Sequence, residues 1–471
     1  MKETRKPKKH FKEERAMKTK FWIALALSVL LLLPAALFAA GTKPYEGVSI
    51  NLGLLARGVS DALKPYLADF TAETGIRVNI EQHAYDSLRD KMMLEFAAKS
   101  GYFDIIYLSP GYLGELVEND YLLAVNKLME KLDFSREDFL PAAIEISRSG
   151  TGEQIWGFPY LSDTSILLYR KDLFEDAKER AEFQSRFGYA LPVPTLEKPL
   201  TTQQFLDLAA FFTRDTSGDG TVDMYGYGYP QVGVAYGNLY IMPWLWTFGE
   251  EYFDESYRVT VDSPKAIAAM KYARELQRYQ PPGVLGWNYG DHIPWFYKGK
   301  LAMTAGWFHI GLDANNPAKS AVAGKVGYAV MPVHPESGLK TGKAVLGGGS
   351  LAITKHSHNP KAAFTYLNWM FGNKERALDW YLNGGNATLK AIYESPEVHE
   401  KFPWARKFFP VANFSLEHIA KQRPTLGVSH SLFEVMSATW HNVAMDRETP
   451  EQALRRAKGE MQVIIEKWRK Q

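Results

Sequence analysis

Apolar positions near the start of the chain switch repeatedly between two spacings. Residues 48–55 read as a strand. Leu63, Tyr66, Leu67 and Phe70 then fall at i, i+3, i+4 and i+7, one face of a helix, which Gly75 is placed to end. Ile76, Val78 and Ile80 alternate as a second strand, and Leu88, Met92 and Phe96 mark a second helix face. Residues 103–108 form a short unbroken apolar run, suited to a central parallel strand buried on both faces, and residues 111–119 read as a third helix. Strand and helix alternating at this spacing predict a doubly wound α/β sheet. Such sheets bind ligands beyond the carboxyl ends of their strands. The loops Ala56-Arg57-Gly58 and Ser109-Pro110-Gly111-Tyr112 lie at those ends. Arg57 and Tyr112 are therefore cleft candidates, or else loop residues that face water.

Further along, Gly157-Phe158-Pro159 reads as a turn, followed by Tyr160 and by an acid, Asp163, in apolar company. Residues 165–170 read as a strand. Thr201 and Gln204 fit a capping box, and Phe205, Leu208, Ala209 and Phe212 share a face of the helix behind it. Residues 238–249 form the densest aromatic cluster. Read as an extended segment, they place Trp244 and Trp246 on one side; read as the start of a core helix, they do not. Ser263-Pro264 and Thr449-Pro450 look like helix starts, the latter with a capping-box Gln452. Residues 326–332 read as a strand and a stop, and Gly347-Gly348-Gly349 opens another extended run.

At 471 residues the chain exceeds one core, so two domains are expected. The formal charge of +2 is uneven: residues 1–20 hold nine Lys/Arg and three Asp/Glu, which leaves the rest near −4 without a basic run. Nucleic acid is not expected as a partner. With no cysteine, disulfides, thiolate metal sites and a lipid-anchoring thiol are excluded. Lys18 and Lys20 precede an apolar run over residues 21–33, then Pro34 and small residues up to Ala40. This is the layout of a signal peptide over residues 1–40, with an uncleaved anchor as the alternative. The folded part is expected to be periplasmic or secreted. Twelve Trp, 25 Tyr and 26 Phe are what a carbohydrate site would draw on, because sugar C–H faces stack on rings.

Several segments in order resemble the extracellular solute-binding proteins of sugar ABC importers, the maltose-binding-protein-like family. They are Thr74-Gly75-Ile76-x-Val78, Tyr85-x-x-Leu88, Phe103-Asp104-Ile105 with Gly111-x-Leu113-x-Glu115-Leu116, the stretch 155–174, and Phe296-x-x-Gly299-Lys300-x-Ala302-Met303. The resemblance spans residues 45–471. It implies an α/β two-lobe periplasmic-binding-protein fold of type II-like form, each lobe a mostly parallel sheet flanked by helices and joined by crossover hinge strands. It divides the chain into lobe one (residues 41–158 and 344–372) and lobe two (159–343 and 373–471), with a third crossing near Gly372. It implies an extracytoplasmic substrate-binding subunit, monomeric and not an enzyme, that closes on a carbohydrate, by aromatic content an oligosaccharide, and delivers it to transmembrane permease subunits of an ABC transporter. By position it makes Trp307 the leading aromatic for stacking on sugar, with Trp244 next and Trp246 beside it. Asp163 and Tyr160 stand at the hinge. Gly348 and Gly349 would let backbone approach a neutral ligand. Asn386 stands where relatives carry a different turn, so the resemblance lends it no contact.

Asp215, Ser217, Asp219, Thr221 and Asp223 place oxygens at positions 1, 3, 5, 7 and 9 of a loop with Gly220 at 6. Calcium is one reading, although Gly226 stands where a closing Glu would be; a polar turn is the other. No other cofactor is implied. A secreted glycosidase remains as a rival, since Glu250, Glu251 and Asp254 lie near the Trp cluster and such enzymes need two carboxylates across the sugar bond. A sensor or adhesive module would share the two-lobe fold.

Overall fold

The computed structural model describes residues 43, 45–132, 134–149 and 152–470; the expected signal peptide lies outside them. Among the described residues no helix is long and apolar enough to cross a membrane. The strands form two sheets. In the first, β1 (Ser49–Leu55) lies between β2 (Arg77–His83) and β3 (Ile105–Leu108), all parallel. The second contains β5 (Ile166–Arg170), β6 (Tyr225–Gly228), β7 (Leu301–Gly306) and β8 (Val326–Ala329) in the order β6-β7-β5-β8.

Two strands join the sheets. β4 (Phe158–Thr164) runs antiparallel to β9 (Ala344–Ile353), and β9 runs antiparallel to β3. The turn expected at Gly157-Phe158-Pro159 is thus the start of a strand. Pro159 is tolerated because the register shifts between Pro159 and Leu161, a bulge where its missing N–H leaves no gap in the ladder. One residue, Ser165, separates β4 from β5, so the chain passes from the first sheet to the second almost without a loop.

The triple glycine sits on this ribbon. A Cβ on Gly347 would stand 2.1 Å from the Trp307 ring, and one on Gly349 would stand 2.5 Å from the Tyr107 ring. Gly348 has φ +89°, and a Cβ there would lie 2.2 Å from the Leu161 carbonyl oxygen. The glycines therefore admit two aromatic rings and the crossing strand, a role the expected approach to a ligand did not include.

The helix starts follow their caps. Thr201 and Thr449 both close capping boxes, Ser263 accepts from Ala266 N–H, and Gly75 ends its helix at φ +84°. The first predicted helix is broken into Gly58–Asp61, a 3-10 turn at Lys64–Tyr66 and α1 (Leu67–Thr74). Pro65 lacks the N–H that a continuous helix needs.

The segment carrying Trp244 and Trp246 is not extended. It is α2 (Gly233–Thr247), a helix buried on nearly every side, as its apolar sequence requires. Trp244 packs edge-on to Tyr272 at 4.9 Å, and Trp246 Nε1 donates to Glu251 Oε2 at 2.8 Å. Both rings belong to the core. The C-terminal helices Ser429–Ala444 and Pro450–Trp468 pack on this side of the molecule, against α2 and the helix Pro264–Gln277.

After Gly372 the chain stays beside the first sheet. Helix Lys374–Leu382 is tied there by Tyr66, whose O–H donates to Asp379 Oδ2 at 2.5 Å, and by Trp380, stacked on Tyr160 at 5.4 Å. Ala405–Phe414 lies against β8 through Phe408 and Tyr328. The return passage lies between Leu382 and Ala405 rather than at Gly372.

Two stability measurements check this account. Gly348→Ala should lose roughly 2–4 kcal/mol, from left-handed strain plus overlap with Leu161. Thr449→Ala, which loses only a cap, should lose about 1 kcal/mol. Urea denaturation that ranks them the other way would show that the ribbon is not held as described.

Candidate binding cleft

The carboxyl ends of β1 and β3 deliver Arg57 and Ser109 to one edge of the first sheet; those of β6 and β7 deliver Tyr229 and Trp307 to the facing edge of the second. The two edges meet. The Arg57 guanidinium stands 5.7 Å from the ring centre of Tyr289, which belongs to the helix Tyr289–Tyr297 packed on β7. Tyr289 is stacked near-parallel to Tyr236 at 6.4 Å and lies 5.1 Å from His309. Its hydroxyl accepts the Trp307 N–H at 3.2 Å.

Asp163 closes the floor. It is buried on the last turn of the hinge strand, opposite Gly347, and its Oδ1 accepts the Phe308 N–H at 2.7 Å. Burial pushes its pKa up to about 7, although the Phe308 N–H, Arg57 and the Thr164 N–H all favour the carboxylate. Burial alone would lower Arg57, yet the facing Tyr236, Tyr107, Tyr289 and Asp163 move it upward. His309, beside Arg57, is pulled down to about 3 by burial and then by that positive charge, so it is neutral at physiological pH.

The structure brings Arg57, Asp163, Trp307 and the backbone of Gly348 into this region, the last through Tyr107, whose O–H donates to the Gly348 carbonyl at 2.5 Å. Gly349 lies under the Tyr107 ring. Tyr112 and Tyr160 are spent on structure: the first donates to the Tyr107 carbonyl at 2.9 Å, and the second stacks on Trp380 with its hydroxyl 3.3 Å from Ser60 Oγ. Trp244 and Trp246 stay in the core. Asn386 is closer than expected, since its Oδ1 accepts the Ser162 N–H at 2.9 Å on the hinge strand. Tyr236, Tyr289 and Arg423 escaped sequence reading, and Tyr85 was marked only as part of the Tyr85-x-x-Leu88 segment, not as a site residue. The Asn288 capping box before Tyr289 marks a helix start rather than a site.

The Asp215–Asp223 loop does not gather its acids around a point. Asp215 accepts the N–H groups of Gly218 and Gly220, Asp219 that of Thr221, and Asp223 the N–H and O–H of Thr216. Among the described residues no cluster of three or more His, Cys, Asp or Glu is arranged for a metal ion. These bonds give the loop the form of a polar turn.

The model of the bacterial extracellular solute-binding protein family matches residues 57–377. The chain belongs to that family. Its members bind solutes and are not catalysts, which removes the glycosidase reading; accordingly Glu250 is bound to Ser263, Glu251 to Trp246 and Lys421, and Asp254 to Arg258. This solute-binding protein is 25% identical over 346 residues to a mannitol-binding protein of Pseudomonas aeruginosa, covering 72% of each chain. It is 22% identical to a probable amino-acid ABC transporter periplasmic-binding protein of Sinorhizobium fredii, covering 77% of each. In fold it is similar to the ribitol complex of an ABC transporter solute-binding protein from Agrobacterium radiobacter, with TM-score 0.77, 22% identity, and 90% and 100% of the two chains covered. It is likewise similar to maltose-bound T. maritima MalE3, with TM-score 0.73, 23% identity, and 89% and 100% covered.

Asp163 gives the cleft a pH signature. Its ordinary pKa is 3.8 and its folded value about 7. Between those values the folded protein holds a proton that the unfolded chain releases, so stability falls as pH rises through the window. The loss above pH 7 is up to ~4 kcal/mol. Asp163→Asn should match the parent near pH 4 and exceed it by roughly 2–4 kcal/mol at pH 8. Urea denaturation at pH 4, 6 and 8 tests this; a difference independent of pH would refute the assignment.

Proposed function

We propose that this protein is the extracytoplasmic substrate-binding subunit of an ABC importer for a sugar or sugar alcohol, exported by its N-terminal segment and delivering solute to transmembrane permease subunits. The observation that carries the reading is the wall shared by both lobes, in which Arg57, Asp163, Tyr236, Tyr289 and Trp307 face one another across a hinge. Charged groups and hydroxyls suit a polyhydroxyl solute, and an indole suits its C–H face. Mannitol and erythritol/L-threitol appear in the names of curated relatives, and ribitol and maltose in those of similar structures, which supports the same chemical class. The aromatic surplus that favours an oligosaccharide is largely used in the core, where Trp244, Trp246, Trp380 and Trp440 are buried. The proposal is therefore a solute of one or two sugar units.

Binding works by closure. A solute that touches both lobes stabilises the closed form by its differential affinity, and the permease reads that form. Titration of intrinsic Trp fluorescence with hexitols, pentitols, monosaccharides and disaccharides should give one saturable change, with the sugar recovered intact by chromatography. Trp307→Ala should weaken that binding at least tenfold, about 1.4 kcal/mol. Saturation by none of these classes would remove the carbohydrate reading.

A further inference from the structure

Arg423 is the only arginine or lysine among the described residues whose side chain is buried. It is 6% exposed, and no carboxylate among the described residues forms an ion pair with it. Its Nη2 reaches Ser109 Oγ at 3.4 Å, and its Nε has no partner. The residue follows the short strand Ala420–Lys421, which pairs with the start of β9 and so brings it to the cleft from the hinge side. There it closes on Gly111: a Cβ at that glycine would stand 3.0 Å from Arg423 Nη1 and 2.6 Å from the Tyr85 hydroxyl. Tyr85 Oη in turn is 2.7 Å from Ser109 Oγ. The charge of Arg423 also reaches Tyr107 and Tyr229, at the ends of strands from each sheet, and that of Arg57 reaches Tyr107 as well.

A buried guanidinium with donors unspent is costly to the fold. The cost is recovered when an oxyanion takes the fork of N–H groups, a pairing stronger than one with a neutral hydroxyl. The negative groups on hand do not fill this role. Asp163 is bound to the Phe308 N–H, and Asp86 lies against Gly233. Glu115 is held by Arg89 at 2.7 Å. Two arginines thus share Tyr107 as a neighbour, with Asp163 as the buried acid beside them.

We propose that the solute carries an oxyanion on its polyhydroxyl body, as a sugar acid or a sugar phosphate does, and that Arg423, with Ser109 and Tyr85, receives it. The inference rests on the carbohydrate reading of the cleft and narrows it.

The test is a calorimetric titration of the purified full chain with paired probes: aldonates, uronates and sugar phosphates, each beside its neutral polyol or sugar. One acidic probe should bind at least ten times more tightly than its neutral partner. Whether that probe is a carboxylate or a phosphate identifies the oxyanion. In Arg423→Gln the preference should shrink to within about twofold, and without ligand the variant should melt no lower than the parent, because the arginine is kept for the solute rather than for the fold. Neutral probes that bind as tightly as acidic ones would overturn the inference and leave the carbohydrate reading standing. A preference that survives Arg423→Gln, or a variant that melts several degrees lower, would also overturn it. Silence with every probe, acidic and neutral, would overturn both.

Discussion

The close approach of Trp307 and Tyr107 to the glycine ribbon is the contact on which the rest depends. Trp307 comes from the end of β7 in the second sheet and Tyr107 from β3 in the first, and the two rings rest on Gly347 and Gly349 of one strand. Between them Gly348 takes a backbone conformation that a side chain would resist and presses against Leu161 of the partner strand. Any side chain here would push the rings away and open the space between the sheets. The same strand supplies Gly347 opposite Asp163, so the hinge, the floor of the cleft and the contact between lobes are made by a few consecutive residues.

Low polarity in that space sets the chemistry. Asp163 and Arg423 are buried, Arg57 and His309 partly so, and none forms a close ion pair among the described residues; burial pushes Asp163 up and His309 down, while neighbouring groups move Arg57 upward. A polar solute that displaces water there meets groups already oriented, and its hydrogen bonds count for more than they would on an exposed surface. Proteins retain such unpaired buried charge at a price in stability, and the natural place for it is where a ligand completes the set.

Much of this was legible along the chain. Strand–helix alternation up to Glu118 gave the parallel sheet, because a strand buried on both faces and a helix buried on one leave different periods in sequence. Thr201, Ser263 and Thr449 marked helix starts because a cap is a contact between residues three apart. Arg57 could be placed at a strand end, and Asp163 was conspicuous as an acid in apolar company.

What the sequence by itself determined, then, were features whose cause is local: caps, periods, breaks such as Pro65, and the order of segments that shows the family. Tertiary structure alone decided the rest. Trp244 and Trp246 look equally fit for a sugar or a core, and only the packing of α2 against Tyr272 and the C-terminal helices put them inside. Tyr85 and Arg423 lie 338 positions apart and carry no local mark of a shared site, yet both close on Gly111. A binding cleft is made of side chains whose proximity comes from folding, and proximity between distant positions leaves no period for a single sequence to display.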